Sequence, residues 1–466
     1  MQRKNDILRV TVNDLNNLGF GVAHVDGKAL FIADAVDGDE LLVRIIHVGK
    51  TYSVGKIEEL ITPSPHRETP FCSVRGCGGC AYRAVNYAHE SERKENNVRF
   101  AFRKAGLPDV TVLPVTKTGV ASHYRNKAQY AVAPDKAGKC QAGFYAPKSH
   151  RLCEAADCPL QNPAFAPVVK GILAFCNENG IPPYDEAKKA GLLRHIYLRA
   201  AVSGDLLLTL VIAQSTFPKQ AELLAFLKEK HPEIVGVYLN INSADTNVIC
   251  SHDYRHIAGE THLTDTLCGV RLRISPASFY QVNHDACELL YAKAASLADF
   301  RGDESILDLY SGVGSIGLSM AHRVREVIGV EIVPSATACA KENAEENGIT
   351  NADFICADAG EGRALLAAVR AKHGEAYRPD AVILDPPRAG CAEELLLTLA
   401  RDERVPRIVY ISCNPDTLAR DAAILTKEGY TMSEVYPFDL FPRTGHVESV
   451  TCFARRLDNE LRERMN

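Results

Sequence analysis

The feature that most constrains how this 466-residue chain folds is an alternation near its C-terminal end. Residues 305–310, 326–331, 352–356, 380–385 and 407–411 are short runs rich in strand formers, and the stretches between them have helical period and length. Strand and helix repeated in this way pack as a doubly wound parallel sheet, an α/β Rossmann-like fold. Ligands of such sheets sit beyond the carboxyl ends of the strands, so the residues just after each strand deserve the closest reading. After the first comes Tyr310-Ser-Gly-Val-Gly-Ser-Ile-Gly, a glycine turn into a helix, and Glu331 closes the next strand 21 residues on. A carboxylate there accepts hydrogen bonds from a ribose diol, in a nicotinamide dinucleotide as in other nucleoside cofactors.

Residues 408–415, Ile-Val-Tyr-Ile-Ser-Cys-Asn-Pro, read as a buried strand ending abruptly at a turn, which puts the Cys413 thiol at the sheet's ligand-binding rim. A free cysteine is often mere core filling. Here Asp385-Pro-Pro-Arg388 ends the preceding strand and Gly445-His-Val-Glu448 lies on a later one, so a thiol and two carboxylates come to one rim. Taken singly, Asp385 could cap a helix and Glu448 could be a scaffold residue. Hydride transfer has no use for a thiol. Carbon methylation of a pyrimidine does, because C5 of uracil is too weak a nucleophile until a thiolate adds at C6, and a base must then take the C5 proton.

Upstream, residues 1–62 hold short alternating strands with turn signals at Asp26-Gly27 and Asp37-Gly38-Asp39, the pattern of a small OB-like β-barrel, a fold that often binds RNA. Pro63, Pro65 and Pro70 mark a linker. A central α+β domain over 63–270 and a catalytic domain over 271–466 follow. Cys72-Ser-Val-Arg-Gly-Cys77-Gly-Gly-Cys80 gathers three thiols on a glycine-rich loop, a metal or iron–sulfur signature. Cys140, Cys153 and Cys158 are candidates for a fourth ligand, and Cys158 is preferred because Pro159 follows it. Zinc and an iron–sulfur cluster both suit such a set.

Residues 63–130 carry eleven Lys and Arg against five Asp and Glu, whereas 271–466 carry 22 against 30. The basic segment includes a charged helix over 89–106 and His123-Tyr-Arg-Asn-Lys-Ala-Gln-Tyr130, where cations alternate with aromatics and amides as in single-strand RNA grips, or as in a half-buried strand with a charged outer face. No apolar run approaches membrane-spanning length, the start lacks a secretory apolar region, and the fifteen cysteines do not make a disulfide framework. The expected location is the cytoplasm.

Taken together, Cys72, Cys77, Cys80 and Cys158, residues 279–283, 308–314, Glu331, 385–388, 412–415 and 441–448 resemble the RumA-type RNA (uracil-5-)-methyltransferases over essentially the whole chain, the N-terminal barrel resembling a TRAM domain. The resemblance implies S-adenosylmethionine as methyl donor, a [4Fe-4S] cluster on the four cysteines, and a uridine of 23S ribosomal RNA, in a single-stranded or remodelled loop, as target of a monomeric enzyme. It implies Cys413 as nucleophile, Glu448 as proton acceptor, Asp385 in the catalytic set, and Gln281, Tyr310, Glu331, Asp358 and Asp385 at the cofactor or base. Arg125, Lys127 and Phe279 are expected RNA contacts. A transfer-RNA target, or an inactive RNA-binding assembly factor, would be the alternatives. This chain departs from the family in having four residues between Cys72 and Cys77 where five are common, and in Ser311 and Ser315 where cysteine and asparagine are common.

Overall fold

The computed structural model describes residues 2–147 and 149–455. It divides into two compact units. One comprises residues up to 94, 119–263 and 441–445; the other comprises 95–118, 264–440 and the described residues from 446 on.

In the first unit the strands Ile7–Thr11, Glu40–Val48, Tyr52–Thr62, Lys28–Ile32, Gly21–Val25 and Asp14–Leu15 pair in that order. Strand alternation sends Leu30, Ile32, Leu41, Val43 and Ile45 to its core, all fully buried. Asp26 and Gly27 both adopt positive φ, 53° and 74°, the backbone that a two-residue hairpin needs. A second sheet runs from Tyr254–Gly259 through Ile234–Ile241, Leu206–Ile212, Leu193–Ala200, Lys127–Pro134 and Cys140–Tyr145 to Leu152–Glu154. The helix Phe165–Glu178 lays Phe165, Val168, Val169 and Ile172 on one face of it, against Ile196, Leu198, Leu208 and Leu210.

One expectation changes here. The alternating stretch 123–130 is a strand only from Lys127 on. His123 turns into the left-handed region at φ 57°, and the His123 and Arg125 amides donate sideways to the Pro159 and Leu160 carbonyls. Tyr130 is fully buried in the apolar core, so it is no stacking platform.

The same unit contains a buried ion pair. Glu90 and Lys94, one turn apart on the helix Tyr87–Lys104, are fully buried with Nζ 2.7 Å from the carboxylate. Glu90 also accepts the Arg443 amide at 2.7 Å, and Lys94 donates to the Phe441 carbonyl at 3.0 Å, so residues 441–443 satisfy charges that would otherwise be costly to bury.

In the second unit, eight described strands form one sheet in the order Ala352–Cys356, Glu326–Glu331, Ser305–Leu309, Ala381–Leu384, Arg407–Ser412, Glu448–Arg455 and Tyr430–Met432, with Tyr436–Phe438 also on Glu448–Arg455. The first five are parallel, as the alternation predicts. Glu448–Arg455, whose direction the alternation did not address, is antiparallel to Arg407–Ser412. That reversal places the beginning of the last strand at the rim where the parallel strands end. The helix His284–Ala298 begins at His284, because Asn283 caps it by accepting the Ala286 amide at 3.3 Å. Residues 275–282 are therefore loop. Among the described residues no helix is long and apolar enough to cross a membrane.

Candidate active site

At the sheet rim each residue of Ser412-Cys413-Asn414-Pro415 has a local task. Ser412 ends its strand opposite Ser449, and its hydroxyl accepts the Asn414 amide at 3.1 Å. Asn414 caps the helix Pro415–Lys427 by accepting the Asp416 amide, and Pro415 occupies the first helical turn, where its missing N–H costs nothing. Cys413 is left half-buried between strand and cap. One step beyond the Ser412–Ser449 pair come Cys413 on one strand and Glu448, 3% exposed, on the other, and the Glu448 charge acts on the thiol.

The charges around that thiol are unusual. Loss of solvation pushes the Asp385 carboxyl up to about 7. Burial, with the Asp385 charge added, pushes Glu448 up to about 8, and Arg388 opposes it. Cys413 is pushed up to about 11 by burial first, then by Glu448 and Asp385, with Arg388 again pulling the other way. A carboxyl that holds its proton near neutrality is suited to general acid–base work. The Arg388 guanidinium donates to His446 Nε2 at 3.3 Å, and its backbone carbonyl accepts the Asn414 side-chain amide at 2.9 Å.

Along the same rim, Tyr310 sits at φ 64°, strained for a residue with a Cβ, and Gly312 and Gly314 continue the turn at 56° and 83°. A Cβ on Gly314 would lie 2.9 Å from the Phe354 ring. Glu331 spreads its carboxylate between the Val333 amide at 2.8 Å and the Gly312 amide at 3.0 Å, which ties the glycine turn to the next strand. Asp358 is exposed at the end of the third strand, its carboxylate accepting the Gly360 amide. In the loop before the helix His284–Ala298, Gln281 is 7% exposed and Phe279 67% exposed. The Tyr291 hydroxyl of that helix meets the Ser315 hydroxyl at 3.2 Å.

Asp308 carries more weight than the motif reading assigned it. It is fully buried, accepts the Gly317 amide at 2.9 Å, and is pushed up to about 7 by burial, with Asp385 and Glu331 adding to the effect. Its Oδ1 and the buried Ser311 hydroxyl have no hydrogen-bond partner among the described residues. Buried polar atoms left unsatisfied in a glycine cradle fit a bound polar cofactor. The available signal was an ionisable residue inside the apolar run Ile-Leu-Asp-Leu.

In the first unit, Cys72, Cys77, Cys80 and Cys158 are close enough to act on one another electrostatically. Cys80 is pushed up to about 12 by burial and then by Cys158, Cys77 and Cys72. The Val74 amide donates to Cys72 Sγ and the Gly79 amide to Cys77 Sγ, both at 3.4 Å, and the Leu160 amide is directed at Cys158. Cys153 also lies near Cys77. Among the described residues no three His, Cys, Asp or Glu side chains form a ready single-ion site. Sulfur atoms approached by backbone N–H groups fit the donor environment of cluster thiolates. Arg125 is half-buried against Tyr124, and Lys127 is pushed down to about 8 by burial and by Arg199 and Arg125.

A glycine turn after the first strand, an acid after the second and a thiol near two buried carboxylates after the fifth are the rim of a nucleoside-cofactor methyltransferase fold. The tRNA (Uracil-5-)-methyltransferase family profile matches residues 86–456, and a TRAM domain profile matches residues 2–57. This chain belongs to that family of S-adenosylmethionine-dependent RNA (uracil-5-)-methyltransferases, with a TRAM domain at its N-terminal end. It is 36% identical over 450 residues to an uncharacterized RNA methyltransferase of Halalkalibacterium halodurans, covering 96% of each chain. It is 35% identical over 447 residues to one from Nostoc sp., covering 95% of each. Among solved structures, Pyrococcus abyssi tRNA (uracil-54, C5)-methyltransferase in complex with S-adenosyl-L-homocysteine superposes with TM-score 0.78 at 27% identity, over 96% of this chain and 99% of that one.

Proposed function

We propose that the protein methylates C5 of a uridine in 23S ribosomal RNA through a temporary bond between Cys413 and the base. The observation that carries this reading is the register that ends at Ser412 and Ser449, the neighbours of Cys413 and Glu448, with Glu448, Asp385 and Arg388 all acting on the thiol. The RNA-facing surfaces present a uridine extruded from its stack, at an unstacking cost of a few kcal/mol; Phe279, Arg125 and Lys127 are the residues assigned to RNA. Tyr310, Glu331, Gln281, Asp358 and the unsatisfied Asp308 and Ser311 atoms would hold the cofactor, and S-adenosylmethionine would supply there an electrophilic methyl group on a sulfonium centre. The Cys413 thiolate forms an S–C6 bond, and the displaced C5=C6 electron pair makes C5 nucleophilic. Once C5 carries the methyl group, Glu448 in its ionised form takes the C5 proton, the C5=C6 bond re-forms, and the S–C6 bond breaks to release Cys413. Arg388 offsets the negative charge that Asp385 and Glu448 bring to the thiolate.

The four cysteines Cys72, Cys77, Cys80 and Cys158 are proposed to hold a [4Fe-4S] cluster, supported by their mutual proximity and the sulfur-directed amides. A transfer-RNA target is the second reading, favoured by the likeness to the Pyrococcus abyssi enzyme over almost its whole length. Purified protein is given tritiated S-adenosylmethionine with unmodified 23S rRNA and, separately, with unmodified tRNA. Label in 5-methyluridine of 23S rRNA alone is expected; label in tRNA alone moves the target. A 5-fluorouracil transcript should become fixed to the protein at Cys413, and Cys413→Ala should bind S-adenosylhomocysteine yet never form that adduct. Adduct at another residue would end the mechanism.

A further inference from the structure

The helix Pro415–Lys427, which starts immediately after Cys413, carries a carboxylate that this chemistry does not use. Asp421 is fully buried beside Leu418, Ala422 and Leu425. A buried carboxylate survives in such a place by collecting donors, and this one collects three. Its Oδ2 accepts the Tyr410 hydroxyl at 2.6 Å and the Cys391 amide at 2.9 Å, and its Oδ1 accepts Arg420 Nε at 2.7 Å. Arg420 in turn donates to the Ala389 and Cys391 carbonyls, both at 3.0 Å. One turn earlier on the helix, the Asn414 amide and the Thr417 hydroxyl reach the Arg388 carbonyl at 2.9 and 3.4 Å.

The 385–391 loop is thus tied at Arg388, Ala389 and Cys391 to a single helix face. Gly390 shows how tight the tie is: at φ 76°, an added Cβ would lie 2.6 Å from Arg420 Nη2 and 2.8 Å from Asp421 Oδ2. We propose that Asp421 is a positioning residue for the methyl-transfer reaction: it locks the 385–391 loop to the helix Pro415–Lys427, which follows Cys413, so that the Arg388 guanidinium is held beside the thiol. Asp421 acts through these groups and touches neither substrate.

The inference rests on the reading of Cys413 as nucleophile. The groups that act on the thiol are Glu448 from the last strand, and Asp385 and Arg388 from the loop. Asp385 directly follows the strand Ala381–Leu384 and keeps its place, whereas the ties to the helix are at residues 388–391, so their loss displaces Arg388, the one group that favours the thiolate, and the thiolate forms only at higher pH. The test is the rate of adduct formation on a 5-fluorouracil transcript from neutral to alkaline pH, in the full-length protein. Asp421→Asn keeps the shape but turns one of two acceptors into a donor, which must face either Arg420 Nε or the Tyr410 hydroxyl and Cys391 amide, and it removes the charge that holds Arg420. Its rate should fall on the order of tenfold to a hundredfold, as for small displacements of reacting groups, with the pH midpoint moved upward.

Arg388→Met should show the same midpoint shift, and the Asp421→Asn, Arg388→Met double variant should be no slower than Arg388→Met alone, since the two act in series. Tyr410→Phe removes one donor and keeps the ring, so it should shift the profile in the same direction by less; it also serves if Asp421→Asn does not fold. Additive losses, or an unmoved midpoint in both Asp421→Asn and Tyr410→Phe, would overturn the proposal. Failure of the unaltered protein to form any adduct at Cys413 would instead remove the mechanism on which it rests, so the two failures are distinct.

Discussion

Glu448→Gln should make the protein more stable while stopping turnover, and the gain should depend on pH in a defined direction. The ordinary value of a glutamate carboxyl is 4.5, whereas burial and the Asp385 charge push Glu448 up to about 8. Between those values the native protein keeps a proton that the unfolded chain releases, so stability is lost as pH rises through that window and is fully present below it. At pH 7 the cost is about 3 kcal/mol, taking roughly 1.4 kcal/mol for each pH unit above the ordinary value. Asp385, up to about 7, titrates in the same field, so the pair shares protons and the figure is a ceiling for either group alone. Glutamine is neutral at every pH and escapes the cost. In calorimetry the transition of the unit that contains Glu448 should rise by up to roughly 6–12 °C at neutral pH, and by little or nothing near pH 4.5. The same variant should accumulate the methylated RNA–protein adduct on a denaturing gel, since the C5 proton has no acceptor. A melting difference that stays constant across this pH range would refute the argument that burial, and not packing, sets the Glu448 proton.

Lys94→Met should destabilise the unit that contains Glu90 by about 3–5 kcal/mol, because it strands a buried carboxylate; Lys94→Met with Glu90→Leu should recover much of that in urea unfolding. Gly314→Ala should weaken S-adenosylhomocysteine binding by about tenfold or more in calorimetric titration, since φ 83° and the nearby Phe354 ring both resist a Cβ; unchanged affinity would place the cofactor elsewhere. Cys80→Ser should lower iron and acid-labile sulfide in anaerobically purified protein and remove the cluster's visible absorption, whereas zinc in the unaltered protein would replace the cluster assignment.

The chain's linear pattern was enough for the strand–helix alternation, the glycine turn before Gly314, the capped strand end at Cys413 and the cysteine loop from Cys72 to Cys80, because each is local: periodicity, turn chemistry and short spacing depend on neighbours along the chain. Folding in space decided what those features face. The apolar run after Glu448 reads the same in either direction, and only pairing with Arg407–Ser412 made it antiparallel and brought Glu448 to Cys413. Tyr130 and Lys127 looked alike as members of an alternating stretch until the central core claimed one of them. In sequence Asp308 stood out only as an ionisable residue inside an apolar run, and Asp421 not at all. Burial gave the first its raised proton affinity and the second its three donors, since solvation and hydrogen-bond supply are set by atoms distant in the chain.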